Sequence, residues 1–396
     1  MTGKPIEPTE ARPGQRGLVL GIDASNIRSG GGLTHLAQLL GAAAPHESSF
    51  ARVVVWADGP TLSALPEAPW LEKAHARLLG GSSAQRALWR EACLPNRLRA
   101  AGVDVLLAPG GTLPRRRPCP AVTMSQNLLP FDPREAARQG LWRSALRYAL
   151  LRRVQSRSFL EADGLIFLTG YARRFVCDRL GREPCSTAII PHGVEARFRL
   201  APRPQKPPGS FSDEEPFRFL YVSIVHFYKH QWHVAEAVGK LRANGLAVAI
   251  DFVGPAFGPA LDRLRRAIGA WDPAERHIRY LGPVPFAGLH EVYHRADGFV
   301  FASTCENMPN ILLEAQASGL AIACANREPM VGMLGEGGVY FEPESPDDIA
   351  RALRALFENP ELRERCARTA YARAQAYSWA RCARETLDFV VQVAAA

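Results

Sequence analysis

The sequence lacks the cysteine patterns of disulfide-rich secreted proteins and of zinc-binding domains. Its eight cysteines are scattered along 396 residues, with no C-x-x-C pair and none at zinc spacing from a histidine. No window approaches the ~20 uninterrupted apolar residues that a membrane-spanning helix needs. Residues 1–16 are polar and rich in proline and glycine, with no apolar stretch after them, so they are predicted to be a disordered N-terminus. We therefore expect a cytoplasmic protein with thiols in a reducing compartment.

The charge of the chain is unbalanced, with a formal net charge of +9. Such an excess indicates an anionic partner: nucleic acid, nucleotide phosphate or acidic lipid. The sequence contains no recognised nucleic-acid-binding motif, which argues against the first of these. With 47% hydrophobic and 22% charged residues, the composition is that of a folded globular protein, and the length favours two domains.

Short apolar segments alternate with helical ones along the chain, which predicts parallel sheets covered by helices in an α/β fold. Strand-like segments include 51–57, 103–111, 121–127 and 164–170, and the segments 84–100 and 141–161 read as helices. Four prolines and several charges make residues 203–216 a predicted linker, after which the alternation restarts. The expected division is therefore 17–202 for the first domain, 203–216 for the linker, 217–375 for the second domain and 376–396 for a C-terminal helix.

The segment "CENMPNILLEAQASG", residues 305–319, carries two glutamates around an apolar helix. Pro309 suits the first helical turn and Gly319 the position after the last, so the helix is predicted from about 309 to 318. A fully helical segment would separate Glu306 from Glu314 by ~12 Å of rise, beyond the ~5–9.5 Å of paired glycosidase carboxylates. Two contacts to one elongated ligand, with its phosphates at the helix N-terminus, fit better. The alternative is a solvated loop glutamate and a second one on an outer helix face.

These residues and four other segments resemble the retaining GT-B glycosyltransferases of family 4, the group 1 type. The E-x7-E pair follows "YHRADGFVFAS", and the upstream segment "LYVSIVHFYKHQWHVAEAV" carries Lys229 where the family has a phosphate-binding lysine. The segments "PHGVEARF", "YLGPVPFAGLHEVYHRADGFVFAS" and "AYSWARCARETLDF" match in order. The resemblance implies the GT-B architecture: two Rossmann-like domains facing a central cleft, with the C-terminal helix packing on the first domain.

The resemblance also implies roles for individual residues. Glu306 would bind hydroxyls of the donor sugar, and Lys229 would neutralise the diphosphate leaving group, which makes these two the predicted catalytic residues. Glu314 would accept hydrogen bonds from the ribose, and backbone at 282–284 would hold the base. The implied donor-binding positions are Glu314, Asn307, Met308, Pro309, Asn310, Ile311, Gly282, Pro283, Val284, Ser223 and His226.

The first domain is expected to contribute neutral groups to the phosphate and acceptor side. These positions are Gly30, Gly31, Gly32, Gln126 and Asn127. Bare backbone at the three glycines could approach a ligand, although a flexible turn explains them nearly as well. Gln126 stands where many family members have histidine and cannot titrate near neutral pH, which favours a mechanism without a general base there.

Three further features depart from the family pattern or lie outside it. Ile224 replaces the arginine or asparagine that usually precedes the lysine by five residues, with His226 and His230 as neighbours that could share its role. Asn307-Met308-Pro309 replaces the common glycine-rich turn, so a different sugar pocket is expected. No Asp-x-Asp is placed to chelate a metal, so neither metal nor other cofactor is predicted. His192 is interpreted as shaping a turn, and His35 as an ordinary, partly buried residue.

The expected function is transfer of a hexose from a nucleoside-diphosphate sugar to a hydroxyl of a glycan acceptor (EC 2.4.1), with retention of configuration. A GDP-mannose-type donor is favoured, with UDP sugars next, and a lipid-linked acceptor of O-antigen or other surface polysaccharide assembly. The basic, aromatic segment 141–159 suits an anionic membrane surface or a lipid diphosphate, or is a solvated helix face. The alternatives are a GT-B sugar-nucleotide epimerase and a non-enzymatic protein that binds polyanions or membranes.

Overall fold

A computed structural model describes residues 17–138, 142–184 and 186–396. The predicted disordered segment 1–16 lies outside these residues. The first sheet has seven strands in the order β3-β2-β1-β4-β5-β6-β7, and every pairing is parallel. Its strands are β1 (Leu18–Asp23), β2 (Phe50–Ala57), β3 (Leu71–His75), β4 (Val105–Ala108), β5 (Ala121–Ser125), β6 (Gly164–Phe167) and β7 (Thr187–Ile189).

The second sheet has six parallel strands in the order β10-β9-β8-β11-β12-β13. They are β8 (Phe217–Val222), β9 (Val248–Val253), β10 (Ile278–Gly282), β11 (Gly298–Phe301), β12 (Ala321–Ala325) and β13 (Gly338–Phe341). In both sheets the first strand lies beside the fourth, which is the strand order of Rossmann-like folds and leaves a crevice at this reversal. The predicted α/β class and two Rossmann-like domains are confirmed.

Helices connect the strands of the first sheet and cover it. They are α1 (Gly30–Gly41), α2 (Gly59–Ser63), α3 (Ser83–Ala92), α4 (Leu94–Ala100), α5 (Pro133–Ala137), α6 (Trp142–Glu161) and α7 (Gly170–Leu180). Central strands such as β4 and β5 are buried at every position, which requires cover on both faces. The segment 84–100, expected as one helix, is two, because Pro95 at the start of α4 has no N–H to continue the ladder.

The second half of the chain is also rich in helices. They are α8 (Gln231–Ala243), α9 (Gly258–Trp271), α10 (Leu289–Arg295), α11 (Asn310–Ala317), α12 (Met330–Leu334), α13 (Pro346–Glu358), α14 (Pro360–Ala374) and α15 (Trp379–Ala394). Helix α11 begins one residue after Pro309 and ends before Gly319, close to the predicted bounds.

The proline-rich segment 203–216 packs on the second domain. The buried guanidinium of Arg363 donates to the side chain of Gln205 and to the carbonyl of Lys206, and the ring of Phe211 contacts Phe217. Earlier in the chain, Phe198 already packs against Tyr293 of the second domain. The structure therefore places the passage between the two sheets at about residues 190–198, ahead of the proline-rich segment.

The last helix, α15, returns to the first domain. It contacts α1 and strands β4, β5 and β6, and it buries Leu387, Val390 and Val393 there. A Cβ atom at Gly164 would lie 2.8 Å from a methyl carbon of Val393, so the glycine permits this close approach. No helix among the described residues is long and apolar enough to cross a membrane.

Candidate functional site

A cavity of about 580 Å³ lies between the two sheets. Its walls come from segments at or after the carboxyl ends of β1, β5, β7, β8, β9, β10 and β11, the edge where open parallel sheets bind ligands. All but three of the predicted site residues line it. The lining includes Gly30, Gly31, Gly32, Gln126, Asn127, His192, Ser223, Lys229, Val284, Glu306, Asn307, Met308, Pro309, Asn310, Ile311 and Glu314.

The three predicted residues that do not line the cavity are Gly282, Pro283 and His226. Gly282 has a φ of +74°, and its carbonyl accepts from the N–H of Gly254, so it shapes the turn after β10. The ring of His226 stacks on Phe257 with centroids 5.1 Å apart. Burial, helped by Lys229, lowers the pKa of His226 to about 4, which keeps this imidazole neutral.

Lys229 and Glu306 form an ion pair inside the cavity. The lysine side chain is 5% exposed and its ammonium lies 4.9 Å from the centroid of the Phe301 ring, so the charge is largely shielded from water. Glu306 also accepts a hydrogen bond from the hydroxyl of Ser303. A buried ammonium beside a carboxylate is a strong local dipole, and it lines the same cavity as Asn310 and Ile311, the first residues of α11.

The loops that carry this pair are tied to each other. The hydroxyl of Tyr221 donates to the carbonyl of Lys229 at 2.6 Å and accepts from the backbone N–H of Ala302 at 3.2 Å. The N–H of Thr304 donates to the carbonyl of Tyr228 at 2.9 Å. The segments following β8 and β11 therefore hold Lys229 and Glu306 in a fixed relation, which is a requirement for a preorganised site.

Glu314 lies in the middle of α11, with its carboxyl in the cavity wall and 7% of the residue exposed. Its Oε2 accepts from the hydroxyl of Tyr293 at 2.9 Å. Burial raises the pKa of Glu314 to about 7, while the Tyr293 hydrogen bond opposes that shift. This carboxyl therefore has a pKa close to neutral pH, and its oxygens can accept hydrogen bonds from a bound diol.

The segment Asn307-Met308, which differs from the family pattern, bridges the two domains. The side-chain amide of Asn307 donates to the carbonyl of Ser125 at 2.7 Å, and the backbone carbonyl of Asn307 accepts from the hydroxyl of Thr169 at 3.2 Å. The backbone N–H of His192 contacts the Met308 sulfur at 3.2 Å. The segment that replaces the family's glycine-rich turn thus fastens the donor side of the cavity to the first domain.

Ile224 stands where the family usually has an arginine or asparagine. The two histidines suggested as substitutes, His226 and His230, do not line the cavity. Ile224 itself lines the wall and is 38% exposed. His230 is buried, and its Nε2 lies 3.3 Å from the hydroxyl of Thr304. Among the described residues that line the cavity, Lys229 is the one lysine or arginine.

A histidine pair that the sequence analysis discounted lies at the cavity wall. Nδ1 of His35 and Nδ1 of His192 are 2.8 Å apart, and both rings are packed against Trp379. His192 lines the cavity, whereas His35 is fully buried behind it. The two histidines are 157 positions apart, so no local pattern in the sequence predicts their contact. The one sequence feature that indicates a buried His35 is its position beside the apolar stripe of α1.

In the part of the chain that the structure describes, no group of three or more His, Cys, Asp or Glu side chains is arranged to hold a metal ion. The groups that line the cavity are a lysine, two carboxyls, amides, an imidazole, the hydroxyls of Thr34, Ser223 and Tyr228, a thiol and backbone.

Comparison with known proteins points to one family. Residues 202–373 match the model of the glycosyl transferases group 1 family. A D-inositol 3-phosphate glycosyltransferase from Geodermatophilus obscurus is 30% identical over 244 residues, which are 58% of this chain and 52% of that protein. These matches support a group 1 glycosyltransferase.

Two further similarities extend this comparison. O-antigen chain mannosyltransferase B from Escherichia coli is 30% identical over 114 residues, which are 29% of this chain and 30% of that protein. The crystal structure of Anabaena Alr3699/HepE in complex with UDP superposes with a TM-score of 0.67 at 17% identity, covering 95% of this chain and 100% of that chain. That likeness confirms the expected GT-B fold. The chain spans about half the length, or less, of these curated relatives.

Proposed function

We propose that this protein transfers a hexose from a nucleoside-diphosphate sugar to a hydroxyl of a glycan acceptor, with retention of anomeric configuration. One observation carries the proposal: Lys229, Glu306 and Glu314 line a single cavity between two Rossmann-like domains, at the carboxyl edge of both sheets. An elongated ligand can touch all three, with sugar, diphosphate and ribose in sequence. The group 1 family match over 202–373 supports the same reaction class.

The diphosphate is the leaving group, so its growing negative charge is what the site must stabilise. Lys229 supplies a shielded positive charge, and the first N–H groups of α11 have no acceptor one turn earlier within the helix. Glu306 pairs with the same lysine and so competes with the phosphate oxygens for it. When the sugar hydroxyls donate to Glu306, the lysine ammonium becomes available to the phosphate oxygens.

The nucleoside end of the donor is assigned to Glu314 and to the segment after β10. Ribose hydroxyls donate to the Glu314 carboxylate, and Val284 lies against the base. The complex of Alr3699/HepE with UDP, in the same fold, supports a nucleotide in this cleft.

Retention is proposed to follow a front-face course. The bond from the anomeric carbon to the diphosphate oxygen breaks, and the acceptor oxygen bonds to that carbon on the same face. The acceptor proton passes to the leaving phosphate oxygen. Gln126, which lines the opposite wall, can orient a hydroxyl but cannot take a proton near neutral pH, which is consistent with this course. We propose that no metal ion is needed, with Lys229 and α11 in that role.

For the donor and acceptor we propose a GDP-mannose-type sugar, with UDP sugars next, and a lipid-linked glycan of O-antigen or similar surface polysaccharide. The similarity to O-antigen chain mannosyltransferase B supports this choice.

A membrane surface is the proposed location of the acceptor. On α6, Leu146 and Leu150 are 63% and 62% exposed, and Arg147 and Arg153 are exposed beside them. Exposed leucines interleaved with arginines suit the interface of an anionic bilayer. The side chains of residues 142–145, part of the predicted basic segment, lie outside the described residues. Replacing Arg147 and Arg153 by glutamate is expected to abolish sedimentation with phosphatidylglycerol vesicles, whereas neutral vesicles should bind neither form.

The direct test of the proposed reaction is a transfer assay. Labelled GDP-mannose and UDP-glucose are each incubated with the protein and with bacterial lipid-linked glycan, with and without EDTA. Label is expected in the glycan fraction, unchanged by EDTA, and Glu306→Gln is expected to lose it. Donor hydrolysis or epimerisation with no transfer would instead favour the epimerase alternative, and salt-sensitive polyanion binding alone would favour the non-enzymatic one.

A further inference from the structure

The pair of His35 and His192 has a defined hydrogen-bonding pattern. The two Nδ1 atoms are 2.8 Å apart, so one of them carries a proton and the other accepts it. Burial lowers the pKa of His35 to about 4 and that of His192 well below its usual range, so both rings are neutral at pH 7. Each neutral ring has one proton. Two arrangements of the pair are therefore possible: the proton between the rings is on Nδ1 of His35, or it is on Nδ1 of His192.

The surroundings of His35 decide between these arrangements. Nε2 of His35 is buried, with no hydrogen-bond partner among the described residues. A buried N–H without an acceptor is costlier and rarer than a buried acceptor without a donor. The proton of His35 is therefore on Nδ1, where it donates to Nδ1 of His192. The proton of His192 must then be on Nε2, its remaining ring nitrogen.

A diphosphate in the cavity needs hydrogen-bond donors, and this N–H is one. Among the described residues lining the cavity, Lys229 is the one lysine or arginine, and it is paired with Glu306. At the position where the resemblance implies a further diphosphate contact, the lining residue is the apolar Ile224. His192 stands between α1, which carries His35, and the turn at Met308 that leads into α11. His192 lines the same cavity as Lys229 and Glu306, where the proposed function puts the diphosphate and the sugar.

We propose that His192 donates a hydrogen bond from Nε2–H to a diphosphate oxygen of the nucleotide donor, and that His35 is the positioning residue that fixes this tautomer. The inference rests on the proposed function. The orientation of His192 is secured on two other sides, by the contact of its backbone N–H with the Met308 sulfur and by the ring of Trp379. A Cβ at the next residue, Gly193, would collide with the backbone of Trp379, so the α15 N-terminus holds this segment in place.

Two substitutions separate the two nitrogens of His192. In His192→Gln the side-chain amide nitrogen can reach the position of Nε2, so the donor to the ligand is kept. In His192→Asn the amide reaches only the position of Nδ1, so contact with His35 is kept and the donor is lost. Dissociation constants are measured for GDP and UDP by calorimetry, and for guanosine and uridine by ligand-observed NMR.

His192→Asn is expected to weaken binding of the nucleoside diphosphate roughly tenfold or more, the cost of one hydrogen bond to a charged group. Nucleoside binding is expected to stay within about twofold of wild type, and His192→Gln to keep most of the diphosphate affinity. A purely structural role would weaken diphosphate and nucleoside binding alike, and that result would overturn the proposal.

The role of His35 is tested on the wild-type protein and does not depend on any variant folding. Long-range ¹H–¹⁵N spectra are expected to show His192 protonated at Nε2 and His35 at Nδ1, and the opposite assignment overturns the inference. His35→Leu is expected to weaken GDP or UDP binding several-fold, with His35→Asn, which can still donate to His192, restoring most of it.

The outcomes distinguish this inference from the proposed function. If the wild type binds none of GDP, UDP, ADP and dTDP, both fail. If it binds one of them and His192→Asn binds it equally well, only the contact from His192 is overturned.

Discussion

The two sides of the cavity are built from different chemistry. The second domain contributes the ionisable groups: Lys229 follows β8, and Glu306 and Glu314 follow β11, the strand that pairs with β8 in the sheet. The first domain contributes bare glycine backbone, Gln126 and the His192 ring supported by His35, none of them charged at pH 7. A donor with a fixed diphosphate needs fixed charge, whereas a neutral hydroxyl acceptor needs orientation and room. Under the proposed function, the second domain supplies charge for the leaving group and the first domain supplies neutral groups that orient the ligand.

The largest expected effect comes from removing the charge of the second domain. Lys229→Ala is expected to lower the rate of sugar transfer by about 10²–10³-fold, because the leaving phosphate loses its cation in a shielded site. Lys240→Ala is the matched control, since that lysine lies on α8 outside the cavity and pairs with Glu236 and Asp347. Equal activity of the two variants in a transfer assay would contradict the role of Lys229.

Removing Glu314 tests the nucleoside end of the same side. Glu314→Ala is expected to weaken binding of the donor about 10- to 100-fold, since the ribose hydroxyls lose a charged acceptor. Calorimetry measures this change, with the sugar nucleotide that raises the Tm of the wild type. Glu291→Ala, an exposed glutamate on α10, is the control and should bind like the wild type. Unchanged affinity in Glu314→Ala would remove the ribose assignment.

The raised pKa of Glu314 predicts a pH dependence with a definite sign. Its pKa is about 7 in the folded protein against an ordinary value of 4.5, so the folded state holds the proton more tightly than the unfolded state. The free energy of unfolding should therefore fall, by on the order of 2–3 kcal/mol from this group, as pH rises from about 4.5 through 7. Glu314→Gln should abolish this part of the dependence and be more stable than wild type at pH 8. A difference in unfolding free energy between the two proteins that is the same at every pH would contradict it.

The segment joining the two sides gives a smaller effect. Asn307→Ala removes the hydrogen bond to the Ser125 carbonyl and is expected to cost about 1–2 kcal/mol of unfolding free energy. Hydrogen exchange at residues 125–127 and 305–308 should accelerate together, because the bond holds both loops. Faster exchange in the second loop alone would mean that the two sides are independent.

The smallest expected effect concerns an ion pair on the rim. Arg138 donates two hydrogen bonds to Glu344 across the domains, but both side chains are more than a third exposed. Glu344→Ala should lower stability by no more than ~1 kcal/mol, and the difference should vanish at high salt; Arg138 is kept because it also pairs with Glu135, whose side chain is 7% exposed. A larger, salt-independent loss in chemical denaturation would assign this contact a structural role.

The contrast between the two sides also explains what the sequence could predict. On the charged side, Lys229, Glu306 and Glu314 were named from the resemblance to a family, which rests on short local motifs, and the structure puts all three in one cavity wall. The edge strands β3 and β7 were missed, since "LEKAH" is polar and "TAI" has three residues, too few for a periodic pattern. The His35–His192 pair could not be predicted, because its partners are 157 residues apart and meet through tertiary packing against Trp379. The roles of the site residues stay predictions until the variants are measured.

The central claim, that the cavity binds a nucleotide sugar through Glu314, is tested most directly by a thermal-shift panel of UDP, GDP, ADP and dTDP sugars. The wild type is expected to gain several degrees in Tm with at least one of them, with a GDP or UDP sugar first, because a ligand that binds only the folded state stabilises it. Glu314→Ala should lose most of that gain, and Glu291→Ala should keep it. A wild type that no sugar nucleotide stabilises would contradict the account.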